Sequence, residues 1–338
     1  MLLFRPVTQD DADQIAVLAD KAGTGLTTLP KDKDKILEKI ELSQQSFASD
    51  VTQPGNEYYL FVLEDIATGQ VIGTSALAAA VGLEQPFYTY KVGTTVHASP
   101  RFSIHKTIPT LILGHDYTGT TEICTLFLSP DHRGGGTGKL LSKGRFLFLA
   151  QHPKRFADKV IAEMRGFSDD QGRSPFWESL GRHFFDMDFD QADTLSGEES
   201  NEFIAELMPK YPIYVPMLTP EAQAVIGKVH PDTEPALELL KKEGFRYRGY
   251  VDIFDAGPTI ETRPEGIDTI KKLISGEVSA IVDTMDSESY LIANQQVADY
   301  RCTLDAASVN AGKITLTKTS AELLNLSVGD SVSLSPLA

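Results

Sequence analysis

The stretch Leu126-Phe127-Leu128-Ser129-Pro130-Asp131-His132-Arg133-Gly134-Gly135-Gly136-Thr137-Gly138-Lys139-Leu140-Leu141 decides how this chain is read. Its opening residues end a run, Glu122 to Leu128, that is apolar on both alternating faces, the pattern of a buried central strand. Pro130 closes the run, and after the glycines Leu141, Gly144 and Phe148 recur at helical spacing. Strand, glycine loop and helix in that order make an anion site. The first amides of a helix have no internal acceptor, and the helix dipole adds positive potential there. Glycines let that backbone approach a pyrophosphate without interference from a Cβ. A glycine cluster alone reads as a flexible turn; the strand, Arg133, Pro130 and the helix favour the binding reading. Two nucleotide alternatives fail. A dinucleotide loop wants a βαβ opening with an acidic residue on the next strand, and a P-loop wants Gly-Lys-Ser/Thr where this chain has Gly138-Lys139-Leu140.

Upstream, Leu2 to Val7 reads as a strand, and Thr8 with Asp11 three residues later reads as a capping-box start. Ile15, Leu18, Ala19 and Ala22 then follow a helical period that Gly23 ends, and Lys31 to Phe47 predicts a second amphipathic helix. Tyr58 to Leu63 and Val71 to Leu77 predict a hairpin. Residues 83 to 119 show no period and are expected to form an irregular excursion. Downstream come a strand over Lys159 to Met164, a short helix over Pro175 to Leu180 and a polar stretch from Asp190 to Glu202. Helices over Glu221 to Ile226 and Pro235 to Glu243, a strand over Arg246 to Phe254 and a strand-rich tail from Tyr290 to Leu334 complete the pattern. The reading is an α/β fold with a mixed central sheet over residues 1–200, followed by a second α/β module over 201–338 with a strand-rich tail.

Bulk composition narrows the class. At 338 residues, 41% hydrophobic and 23% charged, the chain matches folded soluble proteins and exceeds one ordinary domain. Its apolar runs fall short of the ~20 residues a spanning helix needs, and the N-terminus lacks a signal-peptide pattern. A net charge of −16 opposes binding to nucleic acid or to an anionic membrane. The two cysteines, Cys124 and Cys302, are far apart and lack metal-ligand spacing, so no metal and no disulfide framework is expected, and a reducing cytoplasm is the expected location. Self-association into a homo-oligomer is compatible with all of this.

With Arg133, Gly136 and Gly138, the loop resembles motif A of the GNAT acyl-CoA N-acyltransferase superfamily: an Arg or Gln, a Gly three residues on and a Gly or Ala two further. Phe176-Trp-Glu-Ser-Leu180-Gly181 resembles its motif B. The likeness narrows to the arginine N-succinyltransferase family. The phrases that carry it include Gly25-Leu-Thr-Thr-Leu-Pro30, Gly93-Thr-Thr-Val-His97, Cys124-Thr-Leu-Phe-Leu128, Ala162-Glu-Met-Arg-Gly166, Gly172-Arg-Ser-Pro-Phe-Trp177 and Val229-His-Pro-Asp-Thr233. The resemblance implies a GNAT-type fold and transfer of succinyl from succinyl-CoA, a co-substrate, to the α-amino group of L-arginine, with no permanently bound cofactor. It also implies that Leu126 contacts succinyl-CoA and that His230 is the catalytic proton donor. The expected acyl-CoA contacts are then Leu126, Leu128, Arg133, Gly134, Gly136, Thr137 and Gly138.

The chemistry requires an unprotonated amine, donors for a tetrahedral oxyanion and a proton for the departing thiolate. Amides near Leu126 to Leu128 could serve the oxyanion if this strand splays from its neighbour. Glu122 is a candidate base, directly or through water, and equally a strand-entry carboxylate. Arg165 and Arg173 are candidates for holding carboxylates, with structural ion pairs as the alternative. His97 and His105 are lesser substrate-contact candidates. Two rival readings stand beside this one: the same chemistry on ornithine or another amino acid, and a non-catalytic acyl-CoA-sensing module.

Overall fold

The computed structural model describes residues 1–338 apart from 23–25, 170, 199–201 and 338. Gly23, expected to end the first helix, and Gly25 therefore lie outside the described residues. The chain opens with β1 (Leu2–Pro6), α1 (Ala12–Ala22), α2 (Lys33–Ala48), β2 (Tyr58–Asp65) and β3 (Gln70–Ala78). Next come β4 (Thr89–Ser99), β5 (Ile104–Gly114), β6 (Thr121–Leu128), α3 (Thr137–Gln151) and β7 (Val160–Glu163). The short helices α4 (Pro175–Ser179), α5 (Arg182–Phe185), α6 (Phe189–Glu198) and α7 (Glu202–Leu207) precede β8 (Ile213–Tyr214), α8 (Pro220–Val225) and α9 (Glu234–Lys242). The chain ends with β9 (Arg246–Val251), β10 (Pro258–Thr262), α10 (Asp268–Lys271), β11 (Ile274–Val282), β12 (Ser289–Ala293), β13 (Cys302–Asn310), β14 (Lys313–Thr317), α11 (Lys318–Leu323) and β15 (Ser331–Pro336).

The mixed α/β architecture expected from the sequence is present, as is the β2–β3 hairpin. The main sheet runs β1-β2-β3-β6-β7-β10-β9-β4-β5-β8, and within it only β6 and β7 run parallel. Strand alternation sends β2 side chains to two cores. Tyr58, Leu60 and Val62 meet Ile15, Leu18, Ile36 and Ile40 of α1 and α2, whereas Tyr59, Phe61 and Leu63 meet Leu140, Leu141 and Phe148 of α3. Each such fully buried apolar side chain contributes roughly 1.5–3 kcal/mol. Gly144 lets α3 lie close to the sheet, since a Cβ there would stand 2.8 Å from the Phe4 ring.

Three findings refine the sequence reading. Residues 83–119 are not irregular: β4 and β5 form an antiparallel ribbon, paired from Thr89↔Gly114 to Ser99↔Ile104. Its base is buried at Tyr90 and Leu111, but its outer half exposes Val96, Phe102 and Ile104, so no one-sided alternation marks it in the sequence. The expected boundary near residue 200 brings no break in the sheet, because β8 pairs with β5 and β10 with β7. The tail closes on itself. Pairings β12–β15, β15–β11, β11–β14, β14–β13 and β13–β12 complete a five-stranded barrel around Val278, Ile292, Leu316 and Val332. The barrel joins the main sheet at Phe4↔Cys302 and joins α3 through Tyr300, whose hydroxyl donates to the Gly144 carbonyl at 2.8 Å.

Candidate active site

β6 delivers the chain to the glycine loop, and Gly136 caps the N-terminus of α3. Gly134, Gly135 and Gly136 have φ of 120°, 57° and 89°, the left-handed region that favours glycine. Thr137 N donates to the Gly134 carbonyl and Leu140 N to that of Gly136, both at 3.0 Å. The amides of Gly134, Gly135, Gly136 and Gly138 donate to no acceptor among the described residues. A Cβ on Gly134 or Gly135 would meet nothing within 4 Å, so the amide-rich side of the loop is open. Gly136 has a packing reason as well: its Cβ would stand 3.0 Å from Leu304 of the barrel. Thr137 is buried in the first turn of α3, Leu128 lies under Gly138, and Arg133 stands exposed beside the loop.

Above the loop, β6 is broken by a bulge. Its register with β3 jumps between Thr74↔Phe127 and Ala76↔Cys124, placing an extra residue on β6, and Thr125 adopts φ 55°. Side chains take over the ladder bonds that the bulge removes. Thr28 Oγ1 accepts from Thr125 N at 3.2 Å, Thr74 Oγ1 donates to the Thr125 carbonyl at 3.0 Å, and the Tyr58 and Thr125 hydroxyls share a hydrogen bond of 2.6 Å. From the other face Arg145, 1% exposed, donates to the carbonyls of Ala76 and Cys124 at 3.4 and 3.3 Å. Burial pulls this guanidinium down to about 10. The segment that carries Leu126 is thereby held rigid.

β6 and β7 pair only at Thr121↔Val160 and Glu122↔Ile161, then part. The strands splay as the acyl-CoA reading requires. Past β7, Gly166 bridges to Val229, and His230 N donates to the Arg165 carbonyl at 2.9 Å. Gly166 is needed at this crossing, because a Cβ would sit 2.5 Å from the Asp255 carboxylate that accepts its amide. Leu126 follows the bulge on β6, and His230 is held by the Arg165 carbonyl just past β7, so the two residues lie on the two arms that part here. His230 Nδ1 accepts from Asp232 N at 3.2 Å, which leaves the proton of the neutral ring on Nε2.

Two carboxylates sit at the root of the splay. Burial raises Glu122 to about 7, against a lowering influence from Lys39, and burial followed by the charge of Asp252 raises Glu163 well above the ordinary carboxylate range. Behind the site, Lys143 of α3 forms a buried ion pair of 2.9 Å with Glu243, just past α9, tying the loop helix to the helix that His230 leads into.

The profile of the arginine N-succinyltransferase beta subunit family matches residues 2–269, and that of its C-terminal domain matches residues 275–336. The chain belongs to this family. It is 50% identical over 337 residues to the arginine N-succinyltransferase subunit beta of Pseudomonas aeruginosa, covering 100% of this chain and 98% of that one. It is 46% identical to the arginine N-succinyltransferase of Yersinia pestis, covering 98% and 97%. The structure of arginine/ornithine succinyltransferase subunit AI from P. aeruginosa superposes with a TM-score of 0.92 at 39% identity, covering 100% and 99% of the two chains.

Within this family member the remaining sequence candidates divide by position. His97 and His105 lie on the outer ribbon, His97 against Tyr214 at 5.7 Å, away from the splay. Arg173 is exposed and pairs with Glu178 at 3.7 Å, whereas Arg165 lies on the second arm and donates to Ser168 at 3.2 Å. Sequence reasoning missed Thr125, Arg145 and Glu163. Only Arg145 left a signal, as one of two cations, with Lys143, in the mostly apolar helix Leu140 to Leu149. Among the described residues no three His, Cys, Asp or Glu converge as metal ligands, and no helix is long and apolar enough to cross a membrane.

Proposed function

We propose that this chain transfers succinyl from succinyl-CoA to the α-amino group of L-arginine in one ternary complex. The observation that carries the reading is the splay, with the open amide loop following Leu126 on one arm and His230 held at Arg165 on the other. The amides of Gly134, Gly135, Gly136 and Gly138 hold the pyrophosphate, with Leu126, Leu128, Arg133 and Thr137 lining the thioester's approach. Glu122 takes the proton of the incoming ammonium through water; the nitrogen attacks the thioester carbonyl, the C–S bond breaks, and the proton that the nitrogen sheds as the amide forms is relayed at Nε2 of His230 to the thiolate, so His230 begins and ends neutral. A general base works best with a pKa near the working pH, and Glu122 at about 7 meets that requirement. Residues 1–200 carry the acyl-CoA side and the later module completes the site through His230. Two buried free thiols accord with a cytoplasmic location.

A thiol-release assay with succinyl-CoA against a panel of free amino acids tests the reading. Arginine-dependent release of CoA is expected, and release independent of every amino acid would overturn it. Ornithine is the second acceptor to include, because the superposable P. aeruginosa protein is an arginine/ornithine succinyltransferase. The ratio of kcat/KM for the two amino acids decides between them.

A further inference from the structure

The root of the splay holds two carboxyl groups that form no ion pair among the described residues. Glu122 is 8% exposed, and among the described residues its carboxylate makes no hydrogen bond and no ion pair. Glu163 Oε1 is buried without a hydrogen-bond partner, and Glu163 forms no ion pair among the described residues. The two side chains share a face, since Glu122 is in register with Ile161 and Glu163 follows two residues on.

The neighbouring charges are already committed. Asp252 caps the amides of Phe254 and Asp255, and Asp255 accepts from Gly166 and Gly257. Lys39 approaches from α2, its ammonium 5.1 Å from the Tyr58 ring centroid, and reaches Glu122 only as a longer-range charge. Arg165 donates to Ser168, and Arg145 serves carbonyls from the opposite face. Burying an ionised carboxylate without a partner is strongly unfavourable, so both groups hold their protons more tightly. A cation reaching them would restore the ionised form.

We propose that Glu163 is the subsite for the cationic side chain of the acceptor, so that Glu163 sets the preference for a guanidinium or ammonium group over a neutral one. The inference rests on the splay being the acyl-transfer site. Glu163, the last residue of β7, precedes by two residues Arg165, whose carbonyl holds His230 N, a chain separation of up to about 7 Å and comparable to the reach of an extended arginine or ornithine side chain. An acceptor whose α-amino group meets the thioester near Leu126 would then place its cationic end on Glu163.

The test compares arginine with citrulline, its uncharged ureido counterpart, in the unaltered enzyme, Glu163→Gln and Glu163→Asp. The unaltered enzyme should prefer arginine strongly. Glu163→Gln should lower kcat/KM for arginine on the order of 100-fold, mostly through KM, and collapse the arginine-to-citrulline ratio while the succinyl-CoA dissociation constant stays unchanged. Glu163→Asp keeps the charge and should retain most of that ratio, which separates charge recognition from a folding defect. A folded Glu163→Gln enzyme with an unchanged ratio overturns this inference alone. An unaltered enzyme that releases no CoA with arginine overturns the acyl-transfer reading, and this inference with it.

Discussion

The two halves of the proposed site would bind by opposite means. The acyl-CoA side is a contiguous loop, residues 126–138, that works with backbone amides and a helix terminus and buries no charge of its own. The proposed acceptor side gathers Glu122 from β6, Glu163 from β7 and His230 from ahead of α9, and would work with titratable side chains that are buried or half-buried. A phosphate can be met by any backbone that turns correctly, so glycines record it in order along the chain. A cationic amino acid must be met by side chains, and the fold can collect those from any strand.

That contrast breaks if a change on one side disturbs the other. A large effect is expected from such a test at Glu122. Glu122→Gln should lower kcat by ~10² to 10³ while leaving succinyl-CoA binding intact, and the rise of activity with pH centred near 7 should disappear from the pH profile. Stability should move the opposite way. A carboxyl raised from 4.5 to about 7 binds its proton more tightly folded than unfolded, so the native state loses stability as pH rises between those values. At pH 8 the glutamine variant should therefore be the more stable protein, by on the order of 2–3 kcal/mol, in denaturant unfolding. A variant that is both inactive and less stable at that pH would mark Glu122 as structural.

A smaller effect is expected on the acyl-CoA side. Gly134→Ala adds a methyl that meets no neighbour but opposes a φ of 120°, and so turns the open amides away from the phosphate. The KM for succinyl-CoA should rise roughly 10-fold with kcat near that of the unaltered enzyme. An equal loss of kcat would mean the loop also positions the thioester.

Legibility in the sequence followed the same division. The glycine loop, the β2–β3 hairpin and the Thr8–Asp11 cap could all be read because each is a local pattern with a local physical cause. The β4–β5 ribbon could not, since its outer strands expose both faces and carry Pro100 and Pro109, leaving nothing for a period to record. Strands in the tail were visible, but their closure into a barrel depends on pairings such as β12 with β15 that no local signal encodes. Thr125 looks like an ordinary strand residue until its left-handed backbone and the hydroxyls of Thr28, Thr74 and Tyr58 are seen together. Glu163 stands out only once β6 and β7 are known to part beside it.

The central claim is that one reaction is completed across the gap, with acyl-CoA held on the β6 arm and the proton delivered from the β7 arm by His230. It is tested most directly by measuring kcat, the succinyl-CoA dissociation constant and the melting temperature on a single variant, His230→Gln. The account predicts a kcat lowered by ~10² to 10⁴ with the dissociation constant and melting temperature nearly unchanged, so that binding and chemistry separate. A stable His230→Gln enzyme that keeps its kcat would contradict it.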